Sequence, residues 1–191
     1  MGAIYASGTG ADFALGPEAA AHGRPLSAVQ RAEEVKESLG EIWLPRVYRE
    51  RILPVRTRSH HLEVPPKETG AEVQHTLLGV ELKVGRRRIL CPDLATARYL
   101  AVFARAGCAD VAVPYDITQI SRLADELESS WHRMLLLAEQ ACAGRSRAFR
   151  SRVRTLLVGD VRDEIRGAGA GTAIPQFNQN TKQRRSVNEG D

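Results

Sequence analysis

Three segments of the chain repeat their apolar residues at helical spacing. In residues 28–39 an apolar residue recurs every three or four positions, after a possible cap at Ser27 and before Gly40, which predicts a capped helix. Residues 117–143 and 145–166 carry longer stripes of the same period. The stripe over 117–143 is longer than one small sheet can cover, so we expect part of it to contact a second helix or a partner chain.

Residues 76–91 alternate apolar and polar positions, with Gly85-Arg86 at the centre, and predict a β-hairpin closed by a two-residue turn. Three pairs then lie opposite one another: Val84 with Arg87, Leu82 with Ile89, and Val80 with Cys91. Glu81 and Lys83 share the other face of the sheet, because successive residues of a strand point to opposite sides.

A helix and another strand follow the hairpin. Asp93 is a helix cap, the helix is expected to run to Ala106, and Gly107 ends it. The short apolar run Asp110–Val113 predicts a strand in a sheet interior. Residues 46–64 look extended, and Pro54 within them favours two short strands or a kinked edge over one central strand.

These elements predict an α/β domain, a small mixed sheet flanked by helices, with a C-terminal helical extension. We assign the α/β core to residues 27–116 and the helical extension, with its arginine-rich segment, to residues 117–166. Residues 1–26 and 167–191 are rich in small and polar residues without periodicity, so we expect a flexible leader and a disordered basic tail.

Composition narrows the class of protein. The 191 residues are 43% hydrophobic, which is enough for a core. The sequence contains no run of 18 apolar residues, so we do not expect a membrane-spanning helix. Cys91, Cys108 and Cys142 are odd in number and lie in apolar patterns, so we expect buried free thiols and a cytoplasmic protein. The adjacent His60 and His61 point to opposite sides of a strand and cannot easily ligate one metal ion.

Arginines account for most of the clustered charge. Lys and Arg number 27 against 23 Asp and Glu, a net charge of +4, and arginine's planar fork suits phosphates. Three clusters of arginines predict contacts with phosphates. Aromatic residues are too sparse to form a platform on which the bases of a single strand could stack, so duplex or branched nucleic acid is favoured over single strands. A solvated, charge-balanced surface is the alternative. The candidate nucleic-acid-binding residues are Arg46, Arg49, Arg86, Arg87, Arg88, Arg147, Arg150 and Arg154.

The order of a helix, two strands, a Glu-x-Lys strand (Glu81-Leu82-Lys83), a hairpin partner, a helix and a strand resembles the PD-(D/E)xK, or restriction-endonuclease-like, superfamily. The pattern is nearest to archaeal Holliday-junction resolvases. The resemblance is best over residues 80–115 and covers residues 28–116 loosely. It implies a nuclease-like fold and Mg²⁺-dependent hydrolysis of duplex or branched DNA.

Carried over to this chain, the resemblance makes Glu81 a metal ligand and Lys83 the group that positions the attacking water. The family's usual upstream Asp has no counterpart here, so Glu63 becomes the second metal ligand, with Glu72 as its substitute. Glu34 is the candidate on the first helix. Carboxylates are the ligands that Mg²⁺ prefers, and the ion would neutralise charge on the scissile phosphate.

Two other interpretations stay open at this point. Glu81 and Lys83 are equally consistent with the solvated face of an ordinary hairpin. The chain is also consistent with a non-catalytic interaction module that forms a homodimer through residues 117–143 of the long amphipathic helix.

Overall fold

The computed structural model describes residues 26–64 and 70–171 of the chain. Residues 1–25 of the predicted leader and residues 172–191 of the predicted basic tail lie outside these residues, and Gly167 and Ala168, assigned above to the tail, are helical. The predicted α/β class with a C-terminal helical extension is confirmed. The helices are α1 (Ala28–Leu39), α2 (Leu44–Val47), α3 (Leu94–Ala106), α4 (Ile117–Ala141) and α5 (Arg147–Ala168), and the strands are β1 (Thr57–His61), β2 (Ala71–Thr76), β3 (Gly79–Val84), β4 (Arg87–Cys91) and β5 (Asp110–Pro114).

The helix ends follow local capping rules. Ser27 and Gln30 form a reciprocal capping box at the start of α1. The Asp93 side chain accepts a hydrogen bond from the backbone N–H of Thr96 at the start of α3, and Gly107 ends that helix in the left-handed conformation. These predicted ends are confirmed.

The prediction of extended structure was wrong for residues 46–52. Short helix α2 continues directly into a π-helical turn, Tyr48–Ile52, and Pro45 lies in the first turn of α2, where a proline needs no N–H. Leu44, Tyr48 and Ile52 are four residues apart and buried together, and this spacing is helical. Only β1, from Thr57 to His61, is a strand in this region.

The strands form two antiparallel sheets. β2, β3 and β4 follow one another as a three-stranded meander, and β1 pairs with β5 in a separate two-stranded sheet. The predicted hairpin register between β3 and β4 is confirmed, with Leu82 opposite Ile89 and Val80 opposite Cys91. Gly85 takes the positive φ that the two-residue turn requires.

The long stripe of α4 is covered inside the chain. α4 packs along α3 and also against α1 and α5, and its buried residues belong to one hydrophobic core shared with the rest of the described chain. The second helix anticipated from the stripe's length is therefore present within the same chain. The buried residues of α4 are Ile120, Leu123, Ala124, Leu127, Ser130, Trp131, Met134 and Ala138.

Buried tyrosines form hydrogen bonds with the backbone groups on the edge of β5 that does not face β1. The backbone N–H of Ala112 donates to the Tyr48 hydroxyl at 2.9 Å, and the carbonyl of Ala112 accepts from the Tyr99 hydroxyl at 2.6 Å. The Tyr48 hydroxyl in turn donates to the carbonyl of Gly169, just after α5, at 2.7 Å. These bonds take the place of a further strand and hold the end of α5 against the sheet.

The three cysteines are buried free thiols, as predicted. Within residues 26–64 and 70–171, none of the helices is long and apolar enough to cross a membrane.

Candidate functional site

Glu81 lies on β3, the central strand of the meander, opposite Gln74 on β2 and Leu90 on β4. Its side chain is only 10% exposed. One carboxylate oxygen accepts a hydrogen bond from the Thr76 hydroxyl at 3.2 Å, and the other accepts one from the Arg88 guanidinium at 3.3 Å. The neighbouring strands therefore supply Glu81 with a hydroxyl and a guanidinium.

Lys83 lies on the same face of β3, opposite Glu72 on β2 and Arg88 on β4. Its Nζ is 3.9 Å from a carboxylate oxygen of Glu72, and both side chains are exposed enough for water to screen the pair. Glu72 also accepts a hydrogen bond from the Gln74 amide at 3.3 Å. Glu72 is therefore a partner of Lys83 and Gln74.

Glu63 follows β1 and forms an ion pair with Arg87, the first residue of β4. Arg87 lies opposite Val84 in the hairpin, and Val84 is three residues from Glu81 on β3. Because strand residues alternate between faces, Arg87 and Glu81 occupy positions on opposite faces of the sheet. Glu63 is thus engaged on the side of the sheet away from Glu81.

The predicted metal ligands do not present their carboxylates to one common point. Mg²⁺ requires oxygen ligands in tight octahedral order, and Glu63, Glu72 and Glu81 each have a different cationic neighbour. Glu34 on α1 pairs with Arg31 at 2.7 Å. In the part of the chain that the structure describes, no group of three or more His, Cys, Asp or Glu side chains is arranged to hold a metal ion. The residues present do not fit the implied Mg²⁺ site.

Arg46 and Arg49, two of the candidate arginines, have carboxylate partners on helical segments. Arg46 pairs with Glu50 at 2.8 Å within the α2 segment, and Arg49 lies 3.5 Å from Glu164 on α5. Glu164 also accepts a hydrogen bond from Lys36 at 2.8 Å, and that bond raises the pKa of the lysine. These contacts connect α1, the π-helical turn and α5, so Arg49 belongs to an ion network inside the fold.

Three other candidates come together between α4 and α5. Arg147, Arg150 and Arg154 lie at positions i, i+3 and i+7 of α5 and line one groove of about 370 Å³. We call it the α4–α5 groove; its other lining residues are Leu135, Ala138, Glu139 and Ser151. Among the described residues that line the groove, Glu139 is the one acidic residue, and it forms an ion pair with Arg150.

The N-terminus of α5 adds to the positive character of the α4–α5 groove. The Ser146 hydroxyl caps the helix by accepting from the backbone N–H of Phe149. The helix dipole places partial positive charge at this end, next to the arginine-rich turns. Arg145 stacks over the ring of Phe149, with 4.3 Å from its guanidinium carbon to the ring centre.

A second basic concavity lies between the two sheets, and no local sequence pattern predicts it. We call it the inter-sheet cleft. It has a volume of about 460 Å³ and its lining residues are His60, His61, Glu63, Arg87, Arg88 and Ile89. β1 and β4 are both edge strands. Successive residues such as Arg87 and Arg88 occupy opposite faces of the strand, but at the edge of a sheet both can border the same cleft. The histidine pair and the hairpin arginines are adjacent only in the tertiary structure.

Comparison of the chain with protein families, with curated proteins and with solved structures finds no match.

Proposed function

We propose that this protein binds nucleic acid, and that the α4–α5 groove contacts the phosphate backbone. The observation that carries the proposal is the convergence of Arg147, Arg150 and Arg154 on one groove that holds a single acidic residue, Glu139. Arginines that neutralise phosphates supply most of the affinity of nucleic-acid binding that is independent of base sequence.

The spacing of these arginines suits a phosphate backbone. With a rise of about 1.5 Å per residue, Arg147 and Arg154 are separated by roughly 10 Å along α5. Each strand of a DNA duplex carries one phosphate per roughly 3.4 Å of helix axis, so the row covers about three phosphates. Arg147 and Arg154 are both exposed, and neither has an ion-pair partner among the residues that the structure describes.

Hydrolysis is not included in the proposal. The resemblance to a nuclease superfamily depends on Glu81 acting with a second carboxylate, and the nearest partners of Glu81 are Thr76 and Arg88. The alternative of a homodimer through residues 117–143 has less support, because α3, α1 and α5 cover the apolar stripe of α4 that suggested it. Binding is the activity that the side-chain arrangement supports best.

The test is the salt dependence of binding to a labelled DNA duplex, measured by fluorescence anisotropy between about 50 and 200 mM salt. The variant is Arg147→Gln with Arg154→Gln. We expect it to bind at least about tenfold more weakly at the lower salt concentration, with a log–log salt slope that is smaller by about two.

The matched control is Arg122→Gln with Arg133→Gln, which removes the same charge from exposed positions of α4 outside the groove. We expect this control to retain most of the affinity and the slope of the wild type. Equal losses in the two double variants would mean that only net charge matters, and a wild type that does not bind the duplex would refute the proposal.

A further inference from the structure

The inter-sheet cleft combines two guanidinium groups with two histidines and one carboxylate. Glu63 pairs with Arg87 and so holds that side chain at the edge of the cleft. Arg88 gives one N–H to Glu81 in a bond of 3.3 Å, which leaves the other N–H groups of its planar fork available. Each guanidinium therefore has one carboxylate partner, Glu63 for Arg87 and Glu81 for Arg88, and keeps further N–H groups for a ligand at the sheet edge.

His60 lines the cleft and carries a polar atom without a partner in the part of the chain that the structure describes. Its Nε2 is buried and has no hydrogen-bond partner among the described residues. Burial lowers the pKa of His60, and the nearby charges of Arg58 and His61 lower it further, so the ring is mostly neutral at pH 7. Together with Ile89, His60 gives the cleft a less polar wall beside its two arginines.

We infer that the inter-sheet cleft binds a phosphate monoester, either of a free nucleotide or at the end of a nucleic-acid strand. A monoester carries a charge of about −1.5 to −2 at pH 7, and two arginine forks match this charge better than they match a singly charged diester. A volume of about 460 Å³ lies in the range of small-ligand sites and holds a unit of nucleotide size.

The cleft is separate from the α4–α5 groove. It is formed by β1 and β4 and the residues beside them, whereas the groove lies between the C-terminal half of α4 and the N-terminal half of α5. Binding of a free nucleotide does not depend on the proposed function, but recognition of a strand end does. The two proposals can therefore fail separately.

The first experiment measures the binding of 5′-AMP by titration calorimetry, with adenosine and inorganic phosphate as probes that each lack one part of the nucleotide. We expect AMP to bind the wild type, adenosine not to bind, and Arg88→Gln to weaken AMP binding by about tenfold. The matched control Arg122→Gln removes the same charge from an exposed position of α4, outside the cleft lining, and is expected to bind AMP like the wild type. Thermal melting of each variant checks that it is folded.

The second experiment separates the two sources of the phosphate. It compares duplexes that end in a 5′-phosphate with duplexes of the same sequence that end in a 5′-hydroxyl. A preference for the phosphate end that disappears in Arg88→Gln supports recognition of strand ends; AMP binding without such a preference supports a free nucleotide as the ligand. The inference is overturned if AMP does not bind, or if Arg88→Gln and Arg122→Gln weaken AMP binding equally. Loss of duplex binding in the groove variants with AMP binding unchanged would confirm that the two sites are independent.

Discussion

Replacing Tyr48 by Phe tests how the fold holds the free edge of β5. Tyr48 is 0% exposed, and its hydroxyl is the only part of the side chain that the substitution removes. The edge-to-face contact of its ring with Phe103, at 5.6 Å between centroids, is retained. The lost groups are one acceptor for the N–H of Ala112 and one donor to the carbonyl of Gly169.

The magnitude follows from those two hydrogen bonds. Ala112 is fully buried, so its N–H is left without a partner, which costs about 1–3 kcal/mol. Gly169 is exposed, and water can replace part of its lost bond, so it adds about 0.5–1 kcal/mol. We expect Tyr48→Phe to lower the free energy of unfolding by about 1.5–4 kcal/mol. Tyr99→Phe removes one hydrogen bond and should cost less, about 1–2 kcal/mol.

Urea denaturation at neutral pH, followed by circular dichroism, measures these free energies, provided that the slope with urea is the same for each variant. The control is Tyr115→Phe, because Tyr115 is 48% exposed and the substitution should change stability by less than about 0.5 kcal/mol. If Tyr48→Phe is no more destabilising than Tyr115→Phe, the hydroxyl does not hold β5 and the end of α5 together, and this account of the β5 edge is wrong.

Three further outcomes are expected. Gly171→Ala should destabilise the fold by about 1–3 kcal/mol, because φ is +85° and a Cβ would lie 2.5 Å from the Thr57 hydroxyl. The control is Gly167→Ala, at a helical position with open space, which should leave stability unchanged or raise it; urea denaturation measures both variants. Burial raises the pKa of Cys108 from 9.0 to about 12. The free energy of unfolding should therefore be independent of this thiol well below pH 9 and fall by about 1.4 kcal/mol per pH unit between pH 9 and 12, and Cys108→Ala should flatten that part of the stability–pH curve. Wild type and Glu81→Gln should show the same absence of cleavage of a branched DNA duplex with Mg²⁺ and with EDTA, and Mg²⁺-dependent cleavage that is lost in Glu81→Gln would restore the nuclease hypothesis.

The parts of the fold that could be predicted are those set by neighbours in the sequence. The hairpin register follows from a glycine at the turn and from strict alternation on both sides of it, so Leu82 meets Ile89 as expected. Ser27 and Asp93 cap their helices through bonds that reach only three residues along the chain. The prediction of extended structure failed at residues 46–52, where the four-residue spacing of the buried Leu44, Tyr48 and Ile52 is helical.

The candidate site depended on contacts that no local pattern contains. Spacing correctly indicated that Glu81 and Lys83 share a face, but which charges neutralise them was decided by Arg88 and Glu72 on the adjacent strands. The i, i+3, i+7 spacing of the α5 arginines was available as a signal for a common face. No local signal predicted that α4 would form the other side of a groove lined by these arginines, because helix packing is decided by burial across the whole core.

By itself, therefore, the sequence determined the helix caps, the turn of the hairpin and the faces of its strands, since the energies involved act within a few residues. The tertiary structure decided that β5 pairs with β1, that two tyrosines satisfy its other edge, and that Glu63 meets Arg87 away from Glu81. These choices belong to side chains far apart in the sequence, and they arise because every buried polar group and charge must find a partner when the core closes.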